Sequence, residues 1–147
     1  MLEEAKELIT NPKIIIPESV IVSMNADEPG RITSANSIQE NEAIFDIAPD
    51  SFVDLEPIIM NAGTILWNGP IGFFEKENFF AGTAMIAEMI ISSKGFSVAG
   101  GGDTISAAEK AGVLDSLDYV STAGGAFLEF MEGKKLPALE ALIDKVN

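Results

Sequence analysis

Three glycine-bearing segments hold the residues best suited to chemistry. In Gly100-Gly101-Gly102-Asp103-Thr104 the glycines let a phosphate come close to the backbone. A helix starting there offers free N–H groups and a partial positive charge. Asp103 at its start can cap the helix, reach a magnesium ion, or both. The competing reading is a tight turn with a capping aspartate. The segment is not the dinucleotide fingerprint G-x-G-x-x-G, because Ile105 or Ser106 falls where the last glycine belongs. A Rossmann oxidoreductase is therefore disfavoured.

The second segment is Trp67-Asn68-Gly69-Pro70, followed by Phe74-Glu75. Trp67 reads as core packing, Asn68 supplies amide donors, and Asn-Gly-Pro makes a sharp turn. Glu75 could accept hydrogen bonds from two ribose hydroxyls; its plainer reading is a solvated loop carboxylate. The third segment is Ser121-Thr122-Ala123-Gly124-Gly125-Ala126. It is a further strand-to-helix turn with donors that could stabilise a transferring phosphoryl group. Its plainer reading is a glycine turn that lets helix and strand pack closely. Lys134 and Lys135 read as a solvated loop, Arg31 as a solvent-facing hairpin residue, and Lys110 as a cation near a helix end.

Composition narrows the chemistry. The 147 residues contain no cysteine and no histidine. Disulfides, thiol nucleophiles, His-based triads and Cys or His zinc sites are thereby excluded. The formal charge of −14 makes nucleic acid and anionic membranes poor partners. A small phosphorylated ligand needs backbone donors or a metal to offset that field. No apolar run approaches a membrane span, and the acidic start Met1-Leu2-Glu3-Glu4 lacks a signal-peptide pattern. The expected location is the cytoplasm.

The elements that position these segments follow from periodicity. Leu2, Ala5, Leu8 and Ile9 share one face of a first helix, ended by Asn11-Pro12. Lys13–Ile16 reads as a short buried strand. Val20–Met24 and Arg31–Ser34 flank Glu28-Pro29-Gly30 and suggest a hairpin. Residues 35–43 are a polar loop, and Pro49 opens a helix running to about Met60. Strands are expected at Thr64–Trp67, Phe96–Ala99 and Tyr119–Ser121. Helices are expected at Phe79–Ser92 and Thr104–Ala111, then after Gly124-Gly125 through Phe130, and from Pro137 to about Val146. Alternating strands and helices predict βα units and a mostly parallel sheet of four or five strands, with an exposed edge. If the strands are neighbours, the three turns meet in one crevice.

Taken in order, these segments resemble phosphoglycerate kinase. The resemblance rests on Trp67-Asn68-Gly69-Pro70 with Gly72, Phe74-Glu75, Phe80-Ala81-Gly82-Thr83, and the two glycine segments at 100–104 and 121–126. Leu128-Glu129, Glu132-Gly133-Lys134 and Leu136-Pro137 complete it. It is strong from Thr64 to Leu142 and weaker back to Lys13. It implies a Rossmann-like three-layer αβα unit spanning 1–147, incomplete relative to the family's C-terminal nucleotide-binding domain. The family moves a phosphoryl group between 1,3-bisphosphoglycerate and ADP.

Carried over, Glu75 would hold the ribose hydroxyls and Pro70 would pack near the adenine. Gly101, Gly102, Asp103 and Thr104 would hold the phosphates of Mg-ADP or Mg-ATP, with Asp103 reaching the Mg2+. Asn68 would lie by the terminal phosphates, and Gly124 and Gly125 would line the transfer zone as the catalytic pair. Ile44, Ala48, Ala123 and Ala138 stand where the family pattern has glycine. The basic phosphoglycerate-binding domain, the expected partner, has no counterpart in this sequence. None of the nine basic residues falls in the glycine turns, and losing such clamps lowers phosphoryl-transfer rates by orders of magnitude. The expectation is an Mg-nucleotide half-site, inactive alone. The alternative is a truncated, non-catalytic α/β piece that binds no nucleotide and associates through its exposed sheet edge.

Overall fold

A computed structural model describes residues 2–143. Six strands divide equally between two sheets. The first is antiparallel, in the order β2-β1-β3, from β1 (Ser19–Ser23), β2 (Arg31–Ser34) and β3 (Ala43–Ile47). The second is parallel, in the order β4-β5-β6, from β4 (Thr64–Trp67), β5 (Phe96–Gly100) and β6 (Tyr119–Ser121). The helices are α1 (Leu2–Ile9), α2 (Glu56–Met60), α3 (Ala81–Ser92), α4 (Gly102–Lys110), α5 (Gly125–Met131) and α6 (Pro137–Ile143). No helix among the described residues is long and apolar enough to cross a membrane.

The predicted hairpin is β1-β2, and the βα alternation after Thr64 is as the periodicity suggested. Four expectations change. Lys13–Ile16 is no strand; Ile14, Ile15 and Ile16 are exposed. The parallel sheet therefore has three strands, not four or five. The expected helix from Pro49 to Met60 is a 3-10 turn at Pro49–Phe52 and a separate α2. Strand β3 was not foreseen. The end of the last helix near Val146 lies outside the described residues.

In the parallel sheet α3 and α4 cover one face. Trp67 packs there with Ala87 and Ile90 of α3, Ala107 and Ala108 of α4, and Val113. Both crossovers advance in one direction across β4-β5-β6, so right-handed connections put both helices on one side. The loop into β6 is fastened to β5 through Asp118. Its Oδ2 accepts from Ser97 N and Ser97 Oγ, each at 2.8 Å. Those bonds hold the Asp118 carboxyl below its ordinary pKa.

Strand β3 joins the antiparallel sheet to the connection between β4 and α3. Phe45 stacks on Phe79 at 4.8 Å, and Phe73 N donates to Phe45 O at 2.7 Å. Arg31 is bound to Glu42 through Nε at 2.7 Å and Nη2 at 2.6 Å, so it is committed to the antiparallel sheet.

Candidate functional site

The register pairs Trp67 with Ala99 and Gly100 with Ser121. The turns that follow these residues therefore leave the sheet at one end, as a parallel sheet requires. Hydrogen bonds then tie the first two turns together. Asn68 Nδ2 donates to Gly100 O at 2.8 Å, and Gly69 N donates to Thr104 Oγ1 at 2.7 Å. The third turn lies beside the second, where Phe127 of α5 covers Gly100 so closely that a Cβ there would strike its ring.

Backbone conformation explains two of the glycines. Gly101, before α4, has φ +100° and ψ 142°, and Gly124, before α5, has φ +57° and ψ −133°. Side-chain-bearing residues rarely take such angles. By contrast, no described non-glycine residue has positive φ. Ile44, Ala48, Ala123 and Ala138 thus stand on ordinary backbone, and their added Cβ atoms require no strained conformation.

No side chain caps α4, so the N–H groups of its first turn carry no side-chain acceptor. Gly102 and Asp103 are exposed there. Thr104 is different: it is buried, and its hydroxyl is engaged by Gly69 N. Only its backbone remains to meet a ligand. Gly124 and Gly125 are exposed, but α5 has only seven residues. Trp67 is buried and donates Nε1 to Gly69 O at 2.9 Å, as expected of a core residue that shapes the turn.

Pro70 belongs to an open recess of about 600 Å3 beside the strand tips. Ile44, Phe45, Asp46, Ile71 and Phe73 line it with Pro70. The structure thus brings Pro70, Ile44 and Phe45 together although they lie far apart in sequence. Glu75 stands apart from the turn cluster. It is exposed and follows buried Phe74, whose carbonyl accepts from Lys110 Nζ at 2.7 Å. Lys110 ends α4, whereas Asp103 lies in its first turn. Glu75 makes none of the hydrogen bonds that join Asn68, Gly69, Gly100 and Thr104.

Two positioning residues escaped the sequence reading. Asp46 on β3 is 1% exposed. Its Oδ2 accepts from Gly82 N at 2.9 Å, and its Oδ1 accepts from Ile47 N at 2.8 Å. Burial pushes its carboxyl above the ordinary value, partly offset by these two bonds. Thr83, also buried, donates to Ile71 O and accepts from Ile71 N at 3.1 Å. Together they bolt the first turn of α3 to β3 and to the Pro70 turn. The signal was a lone acidic residue inside the apolar run Ile44-Phe45-Asp46-Ile47: such a residue is buried only when its partners are at hand.

The donor set can be tested against a magnesium ion. No group of three or more carboxylates suited to a metal exists among the described residues. Asp103 is a single exposed carboxylate at a helix start. That fits an ion that brings phosphate oxygens and waters with it, and does not fit a closed protein cage. No lysine or arginine lies in the three turns, and Lys110 is engaged by Phe74 O and the Phe80 ring. The site can therefore present backbone donors and one amide to an anion, and one carboxylate to a cation that accompanies it.

Comparison with known proteins agrees on one family. The phosphoglycerate kinase family profile matches residues 1–134. The phosphoglycerate kinase of Psychrobacter cryohalolentis is 46% identical over 154 residues, covering 97% of this chain and 38% of that protein. The Vibrio campbellii phosphoglycerate kinase is 49% identical over 144 residues, covering 97% and 37%. Among solved structures, that of phosphoglycerate kinase from Coxiella burnetii superposes with a TM-score of 0.82 at 42% identity, covering 95% of this chain and 36% of that one. The Pyrococcus horikoshii enzyme superposes with a TM-score of 0.82 at 33% identity, covering 96% and 36%. The chain thus spans under two-fifths of the length of the relatives it matches.

Proposed function

The chain belongs to the phosphoglycerate kinase family, and from that premise we propose that its strand-tip turns bind Mg-ADP or Mg-ATP as an incomplete half-site, inactive on its own. The observation that carries this reading is the linkage of two glycine turns through Asn68 Nδ2 to Gly100 O and Gly69 N to Thr104 Oγ1. It holds the Asn68 turn and the uncapped start of α4 in one place.

In this reading the first-turn N–H groups at Gly102 and Asp103 bind phosphate oxygens. Asp103 holds the magnesium ion, which when bound neutralises phosphate charge. Asn68 sits beside the terminal phosphate, with its amide oriented by Gly100 O. Pro70, Ile44 and Phe45 offer an apolar recess to the base, and Glu75 takes the ribose hydroxyls. Gly124 and Gly125 leave room at the third turn for the group in transfer. Water exclusion and cationic stabilisation must come from elsewhere, since the turns hold no basic side chain. The partner that supplies them, in this proposal, is the phosphoglycerate-binding part of the relatives that this sequence does not match.

Two measurements test the reading. Calorimetry with Mg-ADP should give binding at millimolar or tighter, weakened by Asp103→Asn when magnesium is present. A coupled assay with 1,3-bisphosphoglycerate and ADP should give no turnover. Calorimetric silence at high protein concentration favours the rival reading, a non-binding α/β piece. Turnover by the chain alone refutes the claim of inactivity.

A further inference from the structure

Asn68 is the one asparagine of this chain that is followed by glycine. That pair has a chemistry of its own. Glycine has no Cβ to hinder its nitrogen, so the nitrogen can reach the side-chain amide of the residue before it. Gly69 N attacks Cγ of Asn68, and the new N–C bond closes a five-membered imide. The Cγ–Nδ2 bond breaks, and the amide leaves as ammonia with the proton that Gly69 N gave up. Water then opens the ring at either carbonyl. The product is aspartate or isoaspartate, with one more negative charge. Asn68 is exposed, and a Cβ at Gly69 would meet nothing within 4 Å, so water has access to this turn.

Both reacting groups are nevertheless engaged elsewhere. The attacking nitrogen, Gly69 N, donates to Thr104 Oγ1 at 2.7 Å. The amide under attack donates Nδ2 to Gly100 O at 2.8 Å. Gly69 O accepts from Trp67 Nε1 at 2.9 Å, so Gly69 is held at both its ends. Its φ is +96°, and Pro70 restricts its rotation further. Trp67 and Thr104 are buried, which fixes the two anchors. To close the imide, Gly69 N must leave Thr104 Oγ1 and the Asn68 amide must turn from Gly100 O. Neither motion needs the chain to unfold. Both need the Asn68 turn to part from the start of α4.

We propose that Asn68 is a spontaneous deamidation site gated by the Thr104 hydroxyl, reacting only while the Asn68 turn is parted from the start of α4. The carboxylate formed has no hydrogen to donate to Gly100 O and repels it, so the modified turn does not re-form the linkage. The event is irreversible and records how long the two turns have stood apart. This gate stands on the three hydrogen bonds and holds with or without a nucleotide.

The test incubates the whole 147-residue chain at mildly alkaline pH without nucleotide. Tandem mass spectrometry follows residue 68, and isoaspartyl methyltransferase labels the isoaspartate product. The same chain in concentrated urea gives the ungated rate. Folded chain should deamidate at Asn68 about tenfold or more slowly than unfolded chain. Thr104→Val removes the acceptor and should speed the folded reaction about fivefold, the rate equivalent of one ordinary hydrogen bond. Thr104→Ser keeps an acceptor and should stay near the unaltered rate. Asn36, followed by Ser37 just past β2, is the internal control, with one rate in all three folded proteins. Amide exchange supplies a measurement on the unaltered sequence. Below the unfolding transition, Gly69 N–H exchange and Asn68 deamidation should rise by the same factor with urea, because both require the same opening. Equal rates in folded and unfolded chain, or a Thr104→Val rate no faster than the unaltered one, would overturn the proposal. So would a Thr104→Ser rate as fast as that of Thr104→Val, or urea responses that diverge.

Discussion

Asp46→Ala is expected to lower unfolding free energy by about 2–4 kcal/mol, because it leaves the buried donor Gly82 N and the half-buried donor Ile47 N without their side-chain acceptor. Gly82→Ala should cost about 1–3 kcal/mol by overpacking. A Cβ at Gly82 would fall well inside contact distance of Asp46 Oδ1 and 2.9 Å from Ile71 Cγ2. The two losses should not add. Removing the Asp46 carboxylate opens the space that the new methyl group needs. The double variant should therefore lose about 0.5–3 kcal/mol less than the sum. Urea unfolding of the four proteins at constant slope measures the cycle, and strict additivity would contradict a direct clash. A pH series adds a second check. The Asp46 carboxyl titrates above its ordinary value in the folded chain. As pH falls through that raised value toward the unfolded one, the folded state takes up its proton first, so this group adds stability as pH drops. Relative to Asp46→Asn, which has no such proton, the unaltered chain should gain stability over that window. An unchanging difference would mean that the carboxyl is not desolvated.

The same residue marks where the sequence was hard to read. The units at Thr64–Ser92, Phe96–Lys110 and Tyr119–Met131 were legible because glycine punctuates each strand end and each helix has its own period. These are local signals. β3 was missed because its partner, β1, lies some twenty residues back and because Asp46 interrupts the apolar run. Pairing and burial, not the segment itself, make it a strand. The opposite error at Ile14-Ile15-Ile16 has the same cause: three β-branched residues with no neighbouring strand stay irregular and exposed. Among the site residues, Asn68, Gly101 and Thr104 could be foreseen as near neighbours once the strands were taken as adjacent. That the Thr104 hydroxyl would be spent on Gly69 N could not, because it depends on the rotamer. The run Thr64-Ile65-Leu66-Trp67 is also informative. Its apolar residues do not alternate with polar ones, the pattern of a strand buried on both sides. The 42% exposure of Leu66 is therefore at odds with its own sequence.

Gly101→Ala should abolish measurable Mg-ADP binding by calorimetry while leaving the chain folded. Gly101 has φ +100°, and holding a Cβ-bearing residue in such a conformation costs about 1–3 kcal/mol. The new Cβ would also come 3.2 Å from Asn68 Nδ2 and 3.4 Å from Thr104 Oγ1. Those atoms belong to the two hydrogen bonds that join the Asn68 turn to the start of α4. The backbone can escape the strain only by rotating the Gly101 peptide, which redirects the N–H groups entering α4. The stability loss therefore stays small, while the geometry of the anion-facing donors is lost. Gly102 supplies the control. It lies within α4, and a Cβ there meets nothing within 4 Å, so Gly102→Ala should keep the fold and the turn linkage intact. If Gly101→Ala bound Mg-ADP as tightly as the unaltered chain, the phosphates would have to be held by something other than the amides at this strand tip. The linkage between Asn68 and Gly100 would then be ordinary packing between neighbouring βα units.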